Sequence, residues 1–215
     1  MTALFITFEG LDGSGKSSHL QEAYRWLADH DIECQVAQEP GGTPLGEAIR
    51  ETFLDPRWGE IDGTVEALMV FASRRQHLLE VIEPTLAAGR HVICDRFTDS
   101  TFAYQGYGRG VPMSILRDVD RLATGGRVPD RTLLFDLPAE VARERGHSEA
   151  RRESEEGVTR LDAEALEFYG KVRQGYLELA SEHSDRFIVI RSEGTFESTQ
   201  QQVRQALGGI FGFEP

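Results

Sequence analysis

The sequence predicts an α/β fold: about five parallel strands in one sheet, helices on both of its faces, and a mobile arginine-bearing lid. Three observations predict it. Short apolar runs of strand length alternate along the chain with segments whose apolar residues recur at helical spacing. A glycine-rich loop sits where the first such run meets the first such helix. Finally, the interval from Gly146 to Gly157 holds only charged, polar and small residues, so it has nothing large and apolar with which to join a core.

The first strand is Leu4-Phe5-Ile6-Thr7-Phe8, an unbroken apolar and β-branched run. After Glu9 come Gly10-Leu11-Asp12-Gly13-Ser14-Gly15-Lys16-Ser17, which fit the pattern G-x-x-x-x-G-K-S/T. In such a loop successive backbone N–H groups wrap a polyphosphate. Glycines at 10, 13 and 15 let the backbone take positive φ and approach the anion closely. Lys16 then supplies a point charge for the β and γ phosphates, and Ser17 offers a hydroxyl to the magnesium ion that accompanies a nucleoside triphosphate. Leu20, Ala23, Tyr24, Leu27 and Ala28 follow at i, i+3, i+4, i+7 and i+8, so a helix starts where the phosphate must sit. This strand, loop and helix order separates a P-loop NTPase fold from a ligand-free glycine turn.

Further on, residues 33–38 read as a second strand. Glu39-Pro40-Gly41-Gly42-Thr43-Pro44 is a rigid turn with Thr43 as cap and Pro44 at the first position of a helix marked by Leu45, Ile49, Thr52 and Phe53. Apolar residues from Val65 to Leu86 keep helical spacing, with Pro84 kinking or ending the helix and Gly89 closing it. His91-Val92-Ile93-Cys94-Asp95 reads as a buried parallel strand with a carboxylate at its C-terminal edge, where ligands sit in open α/β sheets. Residues 131–137 and 186–190 give the fourth and fifth strands, and a last helix runs from about Phe196 to Phe211. No internal repeat or linker appears, so the expectation is one domain over 1–215.

Composition narrows the partners. Of 215 residues 40% are hydrophobic, enough for a full core, and the net charge of −13 repels nucleic acid polymers and anionic membranes. A few arginines in a cleft can still hold a small phosphorylated substrate, because local potential is set within a Debye length of roughly 10 Å. The two cysteines, Cys34 and Cys94, read as buried reduced thiols rather than a disulfide. With no apolar stretch of membrane-spanning length and no signal peptide, the expectation is a soluble cytoplasmic protein. The lid, about 146–160, carries Arg151 and Arg152 and is flanked by Arg143, Arg145 and Arg160. Such a segment is either a solvated charged loop or, beside a triphosphate loop, a lid that closes arginines onto the γ-phosphate.

These residues resemble the bacterial thymidylate kinases, a P-loop nucleoside monophosphate kinase family that phosphorylates dTMP to dTDP with ATP. The resemblance is carried by Phe8 to Ser17, Glu39-Pro40-Gly41-Gly42-Thr43, Ser73-Arg74-Arg75, Asp95-Arg96 and Ala103-Tyr104-Gln105-Gly106-Tyr107-Gly108-Arg109-Gly110. Pro129-Asp130 and the arginine-bearing lid complete it, in family order over about residues 4–180. It implies ATP and dTMP as substrates, magnesium held through Ser17 and Asp95, and a homodimer packed through long helices. It also implies that residues Gly10 to Ser17 bind ATP and that Lys16, Arg151 and Arg152 meet transition-state charge. Arg96 would grip the acceptor phosphate, and Asp12 would lie near the dTMP 3′-hydroxyl and the metal. Glu39 and Pro40 would flank the nucleotide, Arg74, Thr101 and Gln105 would contact thymine, and Tyr104 the sugar.

Two positions depart from the family pattern. The stacking phenylalanine expected four residues before Arg74 is Val70 here; Phe71, one step further and about 100° around the helix, is the aromatic available to stack on thymine, or else a core residue. The arginine expected before Glu-Pro-Gly-Gly is Gln38, which removes a cation from the acceptor end unless another arginine replaces it. Two other readings use the same donor loop: a kinase for another nucleoside monophosphate or a deoxynucleoside, and a nucleotide-dependent switch that has no small-molecule acceptor.

Overall fold

The computed structural model describes residues 2–152, 159–161 and 164–213. Its centre is a five-stranded sheet formed by β1 (Phe5–Gly10), β2 (Cys34–Gln38), β3 (His91–Asp95), β4 (Arg131–Asp136) and β5 (Phe187–Arg191). The order across the sheet is β2-β3-β1-β4-β5 and every pairing is parallel. All six residues of β1 are buried, as an apolar run at the middle of a doubly covered sheet requires. The register pairs Phe8 with Asp95 and Gly10 with Phe135, so the glycine loop and the acid that ends β3 reach the same edge together.

Alternation along β1 divides the core. Ile6 and Phe8 point to one face, where Leu20, Ala23 and Leu27 of α1 (Lys16–Ala28) and Val203, Leu207 and Phe211 of α9 (Phe196–Phe211) cover them. Phe5 points to the other face and packs with Val92, Cys94, Leu78 and Ile82. Asp130 fixes the start of the strand, since Phe5 N donates to its Oδ2 at 2.7 Å. The remaining helices are α2 (Pro44–Leu54), α3 (Gly63–His77), α4 (Glu83–Ala87), α5 (Thr98–Thr101), α6 (Met113–Thr124), α7 (Ala139–Arg152) and α8 (Leu166–Glu182). Thr43 caps α2 by accepting from Gly46 N at 3.0 Å, with Pro44 in its first turn.

The segment expected as one helix from Val65 to Leu86 is broken in the middle. Between α3 and α4 lies a π-helical turn, Leu78–Ile82, immediately before Pro84. A proline ring crowds the carbonyl four residues back and offers no N–H, and the wider turn relieves that position. A second π-helical stretch, Phe102–Gly108, follows α5 and carries Tyr104 and Gln105. Cys94 is buried, whereas Cys34 is only half-buried on the edge strand β2; both thiols are free, and burial pushes the Cys34 thiol up to about 12. Among the described residues no helix is long and apolar enough to cross a membrane.

One buried ion pair ties β4 and β5 to the helix after β3. Arg186, just before β5, makes a bidentate contact with the buried Asp99 of α5, 2.7 Å at both oxygens, and also reaches Thr132 of β4. Removing one partner of such a pair leaves an uncompensated buried charge and costs about 3–5 kcal/mol. Arg186→Ala is therefore expected to lower unfolding free energy by that order in urea titrations. Asp99→Asn combined with Arg186→Met should recover part of the loss.

Candidate active site

The phosphate cradle follows from three glycines. Gly10, Gly13 and Gly15 have φ of 146°, 80° and 81°. A Cβ on Gly10 would lie 2.6 Å from the Phe135 carbonyl, and one on Gly13 would lie 2.1 Å from the Ala142 carbonyl of α7. Gly15 is the N-cap of α1 and provides no side-chain cap, so the first-turn amides are left for an anion at the positive end of the helix. Lys16 Nζ stands 3.6 Å from Asp12 Oδ1 and 3.8 Å from Asp95 Oδ1. Ser17 Oγ donates to Asp95 Oδ2, while Asp95 Oδ1 is buried without a hydrogen-bond partner among the described residues. Leu11 contributes backbone only, since its side chain lies in the core beside Tyr104 and Phe168.

Arg96 joins this cradle to the rest of the cleft. It follows β3 with φ of 69°, a conformation that costs a non-glycine residue about 1–2 kcal/mol. Its Nη2 donates to Asp12 Oδ1 at 2.6 Å and to Tyr104 Oη at 3.2 Å; its Nη1 reaches the Gly10 carbonyl at 3.0 Å, Ser100 Oγ at 2.9 Å and Tyr176 Oη at 3.1 Å. Burial would raise the Asp12 carboxyl, but Arg96 and Lys16 outweigh it and hold the group well below the usual carboxylate range. Burial also opposes the charge on Arg96, and Asp12 more than offsets this, so the guanidinium stays protonated. Tyr104 Oη donates to Asp12 Oδ2 at 2.9 Å. Beneath Arg96 lies Glu9, fully buried, accepting from Phe97 N, Ser100 Oγ and Tyr176 Oη. Burial and the nearby Asp99 push its carboxyl from 4.5 up to about 7.

The far end of the cleft is built on α3. Arg74 is buried, with Nε on Glu39 Oε2 at 2.6 Å and Nη1 on Thr101 Oγ1 at 3.0 Å. His77 Nδ1 lies 2.9 Å from the other oxygen of Glu39, which places its ring proton on that nitrogen. Gln105 donates through Nε2 to Glu66 Oε2 at 2.9 Å. The Glu39-Pro40 turn is tied to α3 by Gly41 N donating to Ser73 Oγ at 3.0 Å.

One cavity of about 370 Å³ joins these parts, with Lys16, Ser17 and Asp95 at one end, Asp12 and Arg96 between, and Arg74, Thr101 and Gln105 at the other. Glu39, Pro40 and Tyr104 line it as well. Phe71 does not: it is buried against the Arg74 guanidinium, its ring 5.0 Å from that group, and Val70 occupies the wall instead. The step of about 100° per helical residue turns Phe71 inward to the core cluster with Val111 and Leu116. Beside Gln38 the wall holds Arg50 of α2, whose Nη1 donates to the Pro40 carbonyl at 3.1 Å; with its amide oriented by its neighbours, Gln38 Oε1 accepts from both Arg50 Nη atoms.

The lid expectation is altered. Residues 146–152 continue α7 as a regular helix, consistent with the straight-chain and small residues there, and 153–158 lie outside the described residues. The side chains of Arg151 and Arg152 are likewise outside the description. Arg145 donates to the Ser192 carbonyl at 3.1 Å, and the buried Arg160 is held by Glu66 at 2.6 Å, directed into the fold. Sequence reasoning missed Glu9, Arg50, Glu66, Ser100 and Tyr176. Glu9 and Glu66 carried a readable signal, a carboxylate inside an otherwise apolar strand or helix face, and Ser100 closes an Asp-Arg-x-x-x-Ser pattern that begins at Asp95, whereas Arg50 and Tyr176 carried none.

Comparison with known proteins adds the family. The thymidylate kinase family model matches residues 8–203. The chain belongs to the thymidylate kinase family. It is 49% identical over 191 residues to a thymidylate kinase of Chromobacterium violaceum, covering 86% of this chain and 84% of that protein. It is 43% identical to one from Desulfosudis oleivorans over 89% and 90% of the two chains, and 40% identical to one from Pseudomonas putida over 98% and 97%.

The raised Glu9 group fixes a pH dependence. Between pH 4.5 and 7 the folded protein holds a proton on Glu9 that the unfolded chain has released. This group's contribution to stability is therefore full below pH 4.5 and is lost as pH rises through 7. Glu9→Gln, which cannot titrate, is expected to flatten the decline in unfolding free energy between pH 5 and 8, measured by denaturant titration at each pH. An unchanged slope would remove Glu9 as its source.

Proposed function

We propose that the chain transfers the γ-phosphoryl group of ATP to dTMP, giving dTDP and ADP, as a cytoplasmic homodimer. The observation that supports this best is the position of Arg96, bonded to Asp12 of the phosphate loop and sharing one cavity with Arg74 and Gln105. Phosphoryl transfer asks the protein mainly for alignment and neutralisation of charge. ATP occupies the loop, with its β and γ phosphates on the amides at the start of α1 and on Lys16. The acceptor phosphate meets Arg96, whose planar fork suits a phosphate better than a lysine would. Arg50 supplies the cation that Gln38 does not. A phosphate monoester has its second pKa near 6, so the attacking oxygen is already ionised and needs no general base.

Ser17 and Asp95 fit a magnesium ion: a hydroxyl and a carboxylate sit side by side, and a buried carboxylate oxygen, 3.8 Å from Lys16 Nζ, has no hydrogen-bond partner among the described residues. The ion, when bound, neutralises the β and γ oxygens. Asp12 bridges Arg96 and Lys16 and offsets their repulsion before substrates arrive, and it faces the sugar and metal afterwards. Thymine lies against Val70, with Arg74, Thr101 and Gln105 at its edge, and Tyr104 meets the sugar. Arg151 and Arg152 are assigned to the γ-phosphate. Val65, Leu68 and Leu79 are exposed along α3 and the turn after it, and Ile115 and Leu122 along α6; this apolar face supports dimerisation.

Lys16→Ala should abolish turnover with any acceptor, and Arg74→Ala should raise the KM for dTMP while leaving that for ATP in place. A coupled assay of dTMP-dependent ADP release checks both, and failure of the unaltered protein to turn over dTMP would refute the reading. Leu68→Glu with Leu79→Glu is expected to shift the sedimentation coefficient from dimer to monomer.

A further inference from the structure

Glu66 of α3 is completely buried, and it lies under the far end of the cavity. Three side chains converge on it. Arg160 Nη1 is 2.6 Å from Oε1, Arg109 Nη2 is 3.1 Å from Oε1, and Gln105 Nε2 donates to Oε2 at 2.9 Å. Arg109 also binds Glu164 at 2.5 Å, and its guanidinium lies over the Phe168 ring; Arg160 lies over Phe53 and donates its backbone N–H to the Leu54 carbonyl at 3.0 Å.

The consequence falls on Gln105. A free glutamine amide can flip, presenting either its oxygen or its NH2 group to a ligand. Next to an ionised carboxylate only one orientation survives, because a carboxylate accepts and cannot donate. Nε2 must face Glu66, and Oε1 is the end left for whatever occupies the cavity that Gln105 lines. At the same wall Arg74 is held through Nε and Nη1, leaving Nη2 as a donor among the described residues. The pair offered to a planar base is thus one donor beside one acceptor. A 4-keto pyrimidine presents the complement, a carbonyl oxygen beside a ring N–H. A 4-amino pyrimidine presents the reverse, an NH2 beside a bare ring nitrogen, and would leave buried polar groups opposed like to like, which costs about 1–3 kcal/mol per group.

We propose that Glu66 is a positioning residue for base selection: by locking the Gln105 amide it makes the cleft prefer 4-keto over 4-amino pyrimidine nucleotides. Arg109 and Arg160 hold Glu66 in place through Oε1. The proposal rests on the placement of the base given above.

The test compares kcat/KM for dTMP and dCMP in the full chain. Glu66→Gln can offer either an oxygen or an NH2 group to Gln105, so the amide is free to turn. The expected result is a fall in dTMP over dCMP selectivity of roughly tenfold or more, through the two monophosphate KM values, with the KM for ATP unchanged. Glu66→Asp keeps the charge that Arg109 and Arg160 need but draws it back from Gln105. It should fall in the same direction, and it serves if Glu66→Gln does not fold. Repeating each change on Gln105→Met separates this role from a structural one: with no amide to orient, neither change should move selectivity further. Unchanged selectivity in a folded Glu66 variant, or an equal loss on the Gln105→Met background, overturns the proposal. Failure of the unaltered chain to prefer dTMP would instead overturn the placement of the base.

Discussion

The contact between Arg96 and Asp12 is the constraint on which the site depends. A cleft built to take two polyanions must first hold its cations close together without them, and like charges in a partly dry site repel strongly. Here carboxylates are interleaved with the cations: Asp12 stands between Arg96 and Lys16, and Asp95 lies within 3.8 Å of Lys16. The arrangement is preorganised, and it has a cost. Arg96 keeps a left-handed backbone conformation, and that strain is held by Arg96 N on the Phe8 carbonyl and by Phe97 N on Glu9. Strain of this kind persists only where surrounding bonds over-determine it, and β1 and β3 supply them.

The net charge of −13 gives the surface a field that repels anions, while the cleft has to hold cations. The structure resolves the conflict by depth. Arg74 and Arg160 are turned inward on the buried carboxylates Glu39 and Glu66, and Arg96 is paired with Asp12 at the half-buried mouth of the loop. Long-range repulsion is screened over roughly 10 Å, so a small phosphorylated ligand that reaches the cleft meets the local cations and little of the surface field.

The fold was legible because its signals are local. Apolar runs mark strands buried on both faces, the glycine loop marks a strand-to-helix junction, and Thr43-Pro44 marks a helix start by capping chemistry alone. The π turns at Leu78–Ile82 and Phe102–Gly108 were not legible, since periodicity cannot separate 3.6 residues per turn from a slightly wider coil over so few residues. For the site, spacing named the residues but could not orient them. It could not tell that Phe71 faces Val111 and Leu116 while Val70 faces the cavity, nor that Arg50 stands beside Gln38. Those are consequences of how α2, α3 and α6 pack, which no short window contains.

Both ends of the cleft use the same device. At the end beside the glycine loop Asp12 fixes a guanidinium, and at the α3 end Glu39 fixes Arg74 while Glu66 fixes Gln105. At Arg74 and Gln105 the carboxylate orients the side chain so that another of its polar atoms, Nη2 or Oε1, is left facing the cavity. A hydrogen bond to an ion is roughly twice as strong as a neutral one, so these side chains are held in one rotamer before substrate binds, and little ordering entropy remains to be lost on binding. The buried acids of this chain are therefore the frame that gives its arginines and glutamine a direction, which explains how so acidic a protein can present a cationic cleft.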